Sequence, residues 1–598
     1  DRQVLDRMCT AIMHRGPDGY GTHIDGTVHL GHRRLAVVDI VGGVQPMWNE
    51  THSVCVVFNG EIFNHRDLRT ELISRGHRFA SDHSDTEVLV HGWEEWGEAM
   101  PLRLNGQFAF AIHDIAAKKL FLARDRFGEK PLFYCHQPRL FAFASEIPGL
   151  LAHPSVPREL DSLALQKYFA HCYFPAPHTP YKAIRKLPAG CSMTLNEATG
   201  ELSLQRYFRF DVEPDPGLTD ERALAEELRG LVDRSVKARL EADVPVGILL
   251  SGGIDSSIVL QCARAYATDV KTFCIGFSEA SFDESSYARL MAKHAGSQHF
   301  EKLCDLELAR NGLPELLRRI GEPIGDPSIL PTHLVCQFAR QQVTVALGGD
   351  GGDELFAGYD PFDALRASKL YRALVPGPLH PALEALAGLL PISDRNMSLD
   401  FKIRRWLRGM RHDASLWNPV WMGALALDEI ESLFRTQIDK EVLYSEVLTT
   451  WEACRSRDLI DRTLSYFTNF YLPDEILVKT DRASMQPSLE LRAPFLDNHV
   501  AAFAARLPHR FKIRGKSRKY LLKQAFRTSL PGDILHRKKK GFGIPLSTWL
   551  RKMDRVTSAP SGTDTAVLEN LWRTHQSSQQ DNRYALWCHF SLAHGLAD

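Results

Sequence analysis

The sequence predicts two folding units of mixed α/β and α+β class, a β-rich layered unit followed by a larger α/β unit with a parallel sheet and many helices. Short β-like runs separated by turn residues dominate the chain up to about residue 210. Beyond that point, amphipathic helical patterns alternate with short apolar runs, which is typical of helices packed on a parallel sheet. One of these apolar runs leads directly into a glycine-rich turn.

The first unit begins with a helical pattern that includes Leu5, Met8 and Ile12. Its β-like runs then follow, separated by turn residues as expected for an antiparallel, layered unit. They lie at residues 28–31, 53–58, 108–112, 119–123 and 140–144.

A linker separates the two units. The segment 211–217 reads Asp-Val-Glu-Pro-Asp-Pro-Gly, a composition typical of loops. We therefore expect a first domain over residues 1–210 and a second over 211–598. An amphipathic helix is predicted from Thr219 or Glu221 to about residue 241, with Leu224 and Leu228 on its apolar face.

The run 246–257 predicts a strand, a phosphate loop and the start of a helix. Residues 246–250 are apolar and suit a buried parallel strand. Ser251, Gly252 and Gly253 form a turn that lets the backbone approach a ligand closely. Residues 255–257, Asp-Ser-Ser, would open a helix whose unpaired N–H groups attract an anion. The alternative is an ordinary Gly-Gly turn, and the chain contains no Walker A motif.

A second, acidic loop follows another predicted strand. Further apolar strands are expected at residues 270–277 and 343–347, and the second of them leads into Gly-Gly-Asp-Gly-Gly-Asp-Glu. Carboxylates packed so closely repel one another unless a cation lies among them. Ligand loops of α/β sheets follow strands in this way, whereas the alternative is a solvated acidic turn.

The second unit resembles a known family. Ser-Gly-Gly-x-Asp-Ser at 251–256 looks like the pyrophosphate loop of N-type ATP pyrophosphatases, which cleave ATP to AMP and pyrophosphate. The acidic loop and the runs 321–328, 477–485 and 489–497 are similar to those of the asparagine synthetase family. This resemblance implies a doubly wound parallel sheet and the cofactors ATP and Mg²⁺.

The resemblance also implies roles for individual residues. Asp255 and Asp353 would bind Mg²⁺, Asp350 would assist proton transfer from the attacking amine, and Lys519 would steady charge on the phosphate. The residues implied to contact ATP are Leu249, Ser251, Gly252, Gly253, Asp255, Ser256, Ser257, Ile275, Gly348 and Gly349.

The first unit resembles the class II glutamine amidotransferase domain, which has an αββα layered fold. The matching runs are residues 14–18, 31–39, 58–64, 84–87, 124–133 and 143–146. The resemblance implies that Asn59 and the Gly60 N–H form an oxyanion hole. Arg34 would then bind the α-carboxylate of glutamine, and Glu61 and Asp85 would hold its α-ammonium group. A turn carboxylate is the alternative for each acid.

The sequence departs from this family at the nucleophile. The family uses an amino-terminal cysteine whose own α-amine is the base, whereas the chain begins with Asp1. Cys9 has no free α-amine and lies within the first helical pattern, so we expect it to be an apolar helix residue. We expect that an amino-terminal segment with the nucleophile is missing, and that the chain as given does not hydrolyse glutamine.

Composition and charge exclude several classes of function. The formal net charge of −1 argues against nucleic-acid and membrane-surface partners. Neither a membrane-spanning stretch nor a signal peptide is predicted. Eleven cysteines without a Cys-x-x-Cys pair favour reduced thiols and a cytoplasmic location. The basic run 537–540 is interpreted as a structural or ATP-site segment, with a solvated face or a nucleic-acid patch as the alternatives.

These observations predict an amidotransferase that uses glutamine, ATP and an acceptor carboxylic acid, most simply aspartate, through an acyl-adenylate. A homodimer is expected from the resemblance alone. Other acceptors stay open, such as a sugar acid or a peptide, because the acidic loop resembles bacterial relatives found with polysaccharide-export systems. Lactam ring closure is disfavoured by the glutaminase motifs. A non-catalytic binding protein is disfavoured by the carboxylates and Lys519 of the ATP site.

Overall fold

The computed structural model describes residues 1–279, 281–393, 398–537, 541, 543–558, 560 and 562–596. Most of the basic run predicted at 537–540 lies outside these residues. In the described part of the chain, no helix is both long and apolar enough to cross a bilayer.

The amino-terminal part is built mainly from antiparallel strands, with five α-helices. The strands are β1 (Gly19–Asp25), β2 (Val28–Arg34), β3 (Met47–Trp48), β4 (Val54–Ile62), β5 (Gly106–Asp114), β6 (Lys119–Arg124), β7 (Phe133–Gln137), β8 (Leu140–Ala144), β9 (Ile184–Lys186), β10 (Cys191–Asn196) and β11 (Leu202–Arg206). The helices are α1 (Arg2–Ala11), α2 (His65–Ser74), α3 (Glu87–Trp96), α4 (Ile147–Leu151) and α5 (Ser162–His171), with 3₁₀ turns at Met13–Arg15 and Gly97–Leu102.

These elements form four layers. A six-stranded antiparallel sheet runs in the order β11-β10-β6-β5-β4-β3, and β1-β2 and β8-β7-β9 form smaller sheets. One face of the large sheet packs on α2 and α3 through residues such as Leu72 and Val88. Its other face packs on the smaller sheets, where Ala109 and Ala111 meet Leu30, and α1 and α4 cover the far side through Met8 and Leu150. The predicted αββα arrangement is confirmed.

All five predicted β-like runs are strands, but β4 differs at both ends. It begins at Val54, one residue later than predicted, and the N–H groups of Ser53 and Val54 both donate to Asn49 Oδ1, at 2.9 and 3.1 Å. It continues beyond Phe58 to Ile62, with Asn59 and Gly60 paired to β5. The predicted oxyanion residues therefore lie on a strand end.

The carboxy-terminal part combines a parallel sheet with many helices. Its strands are β12 (Val246–Leu249), β13 (Lys271–Phe277), β14 (Gln298–Cys304), β15 (Val345–Leu347), β16 (Glu490–Arg492), β17 (Ile513–Arg514) and β18 (Ser517–Arg518). Its α-helices are α6 (Glu221–Arg239), α7 (Ile254–Ala263), α8 (Ser285–Ala295), α9 (Leu306–Asn311), α10 (Leu313–Ile320), α11 (Ile329–Ala339), α12 (Gly352–Leu355), α13 (Pro361–Leu374), α14 (His380–Gly388), α15 (Leu399–Met410), α16 (Ala414–Met422), α17 (Leu427–Phe434), α18 (Lys440–Leu443), α19 (Ser445–Ala453), α20 (Leu459–Tyr466), α21 (Leu477–Met485), α22 (Asn498–Arg506), α23 (His509–Lys512), α24 (Tyr520–Ala525), α25 (Gly532–His536), α26 (Leu546–Lys552), α27 (Thr565–Gln576) and α28 (Arg583–Gly595). A π-helix spans Phe467–Ile476, and 3₁₀ turns lie at Gly377–Leu379 and Pro494–Leu496.

The five-stranded sheet is parallel throughout, in the order β14-β13-β12-β15-β16. Helix α7 covers one face of it through Ile258 and Val259, and α11 covers the other through Ile329 and Cys336. This is the predicted doubly wound sheet. The strand order reverses between β12 and β15, so the loops that follow these two strands border the crevice where ligands bind in such folds.

Four predicted elements of this part are shorter in the structure, of which β12 and β13 each lack one predicted terminal residue. Helix α6 ends at Arg239 and is capped at its start by Asp220, whose carboxylate accepts from the N–H groups of Arg222 and Ala223. Strand β15 begins at Val345 because the N–H of Val343 donates to the Ala339 carbonyl at the end of α11.

A buried chain of alternating charges joins the two parts. The Arg15 guanidinium donates to both carboxylate oxygens of Asp481 and to Glu146, each at 2.7 Å. Arg482 contacts Asp481 at 2.6 Å and Glu322 at 3.2 Å. Burial raises the pKa of Asp481, but the Arg15 charge outweighs it and leaves that pKa below its usual value. The carboxylate is therefore held in its charged form.

We expect Arg15→Gln to destabilise the protein by about 3–5 kcal/mol, because it removes the buried guanidinium that pairs with both Asp481 and Glu146. Chemical denaturation, followed at the first unfolding transition, measures the change. The matched control is Arg506→Gln, which removes an exposed pair with Asp215 and should cost no more than about 1 kcal/mol. Equal losses for the two variants would contradict the importance of the buried chain.

Candidate functional site

The five residues predicted to bind glutamine line one cavity of about 460 Å³. Arg34 is the last residue of β2, and Asn59, Gly60 and Glu61 lie near the end of β4. Asp85 precedes α3 and accepts a hydrogen bond from the Ile62 N–H at 3.0 Å. The structure therefore brings together residues that three separate sequence runs contribute.

Asn59 and Gly60 present hydrogen-bond donors to this cavity. The Asn59 Nδ2 group is buried and has no hydrogen-bond partner, a costly state unless a ligand accepts from it. Gly60 has φ of +147°, and a Cβ at this position would lie only 1.9 Å from the Gln107 carbonyl oxygen. Glycine is therefore required here, because the backbone of β4 lies close against that of β5.

Arg34 shapes the loop beside the cavity. Its guanidinium donates to the carbonyl oxygens of Asp39 and Ile40, both at 2.7 Å, and of Val38 at 3.2 Å. Burial lowers the pKa of Arg34, and Asp39 and Asp85 oppose that shift. The residue is a positive group at the mouth of a partly acidic pocket, as recognition of an α-carboxylate requires.

Glu61 and Asp85 make the opposite end of the cavity acidic. Both are buried, at 4 % and 5 % exposure. Burial, followed by the neighbouring Asp85 charge, raises the pKa of Glu61 well above its usual value. Arg492 opposes this shift from the second domain, with its Nη2 3.0 Å from Glu61 Oε2. Glu61 is therefore in direct contact with the second domain.

Cys9 lies in α1 and is 3 % exposed. Burial raises the pKa of its thiol to about 11, so the reactive thiolate is scarce at neutral pH. The expectation that Cys9 is an apolar helix residue agrees with this burial.

The loop after β12 is shaped for an anionic ligand. Gly252 has φ of +67°, and a Cβ there would lie 2.6 Å from the backbone nitrogen of Ala288. Gly253 is the N-cap of α7, whose first turn exposes unpaired N–H groups. Ser251 Oγ accepts from the Gly253 N–H and lies 3.2 Å from Ser256 Oγ. Ser257 Oγ is buried without a hydrogen-bond partner.

The remaining predicted ATP contacts border the same crevice. Leu249 ends β12, and Ile275 lies on the neighbouring strand β13. Gly348 and Gly349 follow β15, and a Cβ at Gly349 would lie 2.8 Å from Asp255 Cβ. The two loops therefore pack against each other closely enough to require glycine between them.

Lys519 lies between the two predicted metal ligands. Its Nζ is 2.5 Å from Asp255 Oδ2 and 2.7 Å from Asp353 Oδ1. Burial lowers the pKa of Lys519, but the two carboxylates outweigh it and raise that pKa above its usual value. Because both carboxylates converge on one cation, their oxygens also suit a hard metal ion such as Mg²⁺.

Asp350 lies between the two halves of the protein. It lines a small cavity of about 20 Å³ together with Gln107 and Lys130 of the first domain and Arg492 of the second. Burial raises the pKa of Asp350, Lys479 opposes that shift, and Asp255 and Asp353 add to it. A carboxylate with a raised pKa is the stronger base.

The sequence analysis assigned no role to three further residues near the site, which are Asp326, Lys479 and Arg492. Lys479 Nζ contacts Asp326 Oδ2 at 2.8 Å, and its charge acts on Asp350. Arg492 connects Glu61 to β16. All three lie in runs that carry the family resemblance, but their partners are far away in the chain. Only the fold brings these partners into contact.

Comparison with known proteins agrees with this geometry. The family profile described as asparagine synthase matches residues 227–596, which is more than half of the chain, and the profile of the glutamine amidotransferase domain matches residues 1–208. The chain belongs to the asparagine synthase family. Family membership confirms the predicted ATP-dependent ligase that forms an amide with nitrogen from glutamine.

Curated members of the asparagine synthase family match almost the whole chain. Asparagine synthetase [glutamine-hydrolyzing] 1 of Bacillus subtilis (strain 168) is 32 % identical over 595 residues, which cover 98 % of this chain and 92 % of that protein. A putative asparagine synthetase [glutamine-hydrolyzing] of Mycobacterium tuberculosis (strain ATCC 25618 / H37Rv) is 34 % identical over 611 residues, with the same coverage. Asparagine synthetase [glutamine-hydrolyzing] 3 of Bacillus subtilis is 30 % identical, with 97 % and 92 % coverage.

We expect Gly60→Ala to lower the free energy of unfolding by about 2 kcal/mol or more, because the new Cβ meets the Gln107 carbonyl on the adjacent strand. The midpoint of chemical denaturation measures the loss. Gly377→Ala is the matched control, since a Cβ there meets nothing within 4 Å, and its effect should stay within about 0.5 kcal/mol. A harmless Gly60→Ala would contradict the close approach of the backbone.

Proposed function

We propose that this member of the asparagine synthase family converts aspartate to asparagine, with ATP as the activating substrate and glutamine as the source of ammonia. The observation that carries the proposal is the convergence of Asp255, Asp353 and Lys519 at the switch point of the parallel sheet, with Asp350 nearby. The curated relatives bear the same activity in their names.

The loop after β12 binds the phosphates of ATP through backbone N–H groups and the positive end of α7. The side-chain carboxylate of aspartate attacks the α-phosphorus, and the bond to the bridging oxygen breaks, so pyrophosphate leaves with the electron pair. Lys519 stabilises the negative charge that develops on the α-phosphate. Asp255 and Asp353 would hold Mg²⁺, which neutralises phosphate charge when bound.

Ammonia then attacks the acyl carbon of the adenylate, and AMP leaves with the electrons of the acyl–oxygen bond. Asp350 accepts a proton from the attacking nitrogen. Its buried position raises its pKa, which suits a general base. Adenylylation is required because a carboxylate is a poor electrophile, whereas its mixed anhydride has a good leaving group.

Lys479 and Asp326 form a charged pair suited to the α-carboxylate and α-ammonium groups of the acceptor. In this proposal, Lys479 binds the α-carboxylate of aspartate and Asp326 binds its α-ammonium group. The 2.8 Å contact between the two side chains shows that opposite charges are presented side by side. Burial raises the pKa of Glu475, the adjacent Asp326 charge adds to that shift, and Lys479 opposes it.

The first domain would supply ammonia from glutamine. Asn59 Nδ2 and the Gly60 N–H stabilise the oxyanion, Arg34 binds the α-carboxylate, and Glu61 and Asp85 bind the α-ammonium group. Hydrolysis also needs a nucleophile beside Asn59, and the buried Cys9 does not suit that role. The small cavity beside Asp350 is large enough for one molecule of the size of ammonia, which supports internal passage.

Three further expectations belong to this proposal. Residues 1–210 would carry glutamine hydrolysis and residues 211–598 synthesis. The homodimer and the cytoplasmic location expected from the resemblance stay predictions.

The decisive experiment is pyrophosphate release from ATP and Mg²⁺ with ammonium, with and without aspartate. Aspartate-dependent release with stoichiometric asparagine supports the proposal and is independent of the glutaminase nucleophile. If another carboxylic acid supports pyrophosphate release but aspartate does not, the proposed chemistry is correct and the acceptor is a different acid. No turnover with any acid would rule out the synthetic function.

We expect Lys519→Gln to lower kcat for ammonium-dependent synthesis by roughly 100-fold or more, because it removes a charge that stabilises the transition state. Steady-state pyrophosphate release measures the change. Lys516→Gln removes an exposed lysine from the same segment and should leave kcat within about twofold. A similar kcat for both variants would exclude the catalytic role of Lys519.

We expect Lys479→Gln to raise KM for aspartate by about tenfold or more, which corresponds to the loss of one charge-assisted hydrogen bond. KM for ATP should change little, because the loop after β12 is left intact. The measurement is the dependence of pyrophosphate release on aspartate at saturating ATP. A selective rise in KM for ATP instead would place Lys479 on the nucleotide.

A further inference from the structure

Arg492 is a buried residue that contacts both halves of the protein. It ends β16 and is 1 % exposed. Its guanidinium donates to Glu61 of the glutamine pocket at 3.0 Å and to Glu490 at 2.7 Å. It also donates to the carbonyl oxygen of Glu241 at 2.7 Å. Every side of the guanidinium is therefore engaged, and one side holds a residue predicted to bind glutamine.

The backbone of Arg492 supports the ATP site. Its carbonyl oxygen accepts from the Gly348 N–H at 2.9 Å, and it is paired with Leu347 of β15. Gly348 begins the acidic loop that carries Asp350 and Asp353. A shift of Arg492 would therefore move the start of this loop.

Arg492 also lies between the two cavities. Glu61 and Glu490, its two carboxylate partners, line the large cavity of the first domain. Arg492 itself lines the small cavity together with Asp350. The same side chain thus borders the passage proposed for ammonia and holds two residues that line the pocket proposed for glutamine.

Arg492 favours the charged form of Glu61, which burial and neighbouring acidic groups oppose. Asp85, Glu490 and Glu241 raise the pKa of Glu61, in addition to burial, whereas Arg492 lowers it. His65 and Arg34 lie near the neighbouring Asp85. Without the guanidinium, three acidic neighbours and burial would all favour the protonated, neutral form of Glu61.

We propose that Arg492 is a positioning residue that couples occupation of the glutamine pocket to the nucleotide loop; this rests on the proposed function. The α-ammonium group of glutamine and the Arg492 guanidinium would share the Glu61 carboxylate. Glutamine binding changes the charge on one side of Arg492, and nucleotide binding changes the loop on its other side. Because such coupling is reciprocal, each ligand alters the affinity of the other by the same factor.

The test measures the Kd of glutamine by titration calorimetry with the full chain, with and without Mg²⁺ and α,β-methylene-ATP, which is not cleaved at the α–β position. In the native protein we expect the nucleotide analogue to change Kd by at least about fivefold. Arg492→Lys keeps the charge but loses the planar fork. In this variant, the ratio of the glutamine Kd without the analogue to that with it should lie within about twofold of one. Arg506→Gln, far from the pocket on the surface, should keep the native ratio.

Arg492→Gln gives a second readout that a purely structural role would not produce. Glutamine binding should be weaker than in the native protein and should need a higher pH to strengthen, because loss of the guanidinium raises the pKa of Glu61 further.

A native Kd that is insensitive to the nucleotide analogue, or an unchanged ratio in Arg492→Lys, would overturn the proposal. These outcomes are independent of catalysis, because neither titration requires turnover. Ammonium-dependent asparagine formation, measured on the same samples, tests the proposed function separately. If Arg492→Gln fails to fold, the Arg492→Lys ratio still decides.

Discussion

The buried chain of charges between the two domains is the interaction on which the site depends. Arg15 reaches across to Asp481, and Arg482 continues from Asp481 to Glu322. Lys186 of the first domain closes the chain on Glu322 at 2.7 Å. Removing such charges from water is costly, so the chain is stable only when every member has its partner. It therefore specifies one relative placement of the domains, and with it the alignment of Glu61 with Arg492.

The synthetic site follows from the topology of the parallel sheet. Strands β12 and β15 are neighbours but lie far apart in the chain, so their following loops come from different parts of the sequence. One loop supplies Asp255 and the other supplies Asp353, while Lys519 approaches from the start of α24. The loop after β12 and the Lys479–Asp326 pair lie on different elements, so the proposed phosphate contacts are separate from the proposed acceptor contacts.

Local patterns in the sequence were sufficient to predict the fold class, the principal strands and the position of the two loops that follow β12 and β15. Gly252 and Asp255 could be recognised because a strand, a turn and a helix start follow one another directly. The contact between Arg492 and Glu61 could not, because it joins side chains 431 positions apart. Exact element ends also depend on such contacts, as the extension of β4 to Ile62 by pairing with β5 shows. Pairings between domains arise only from tertiary packing.

Helix α21 constrains how enzymes of this kind can diverge. Within four consecutive positions, Lys479 faces Asp326, Asp481 binds the first domain, and Arg482 binds Glu322. A substitution that reshapes this helix for a new acceptor would disturb the domain junction as well. The loop that carries Asp326 is tied to the first domain as well, because Glu322 contacts Lys186 and the Gly325 N–H donates to the Cys172 carbonyl at 2.8 Å. Both sides of the Lys479–Asp326 pair are therefore anchored at the domain junction, so a change of acceptor through either side would have to leave that junction intact.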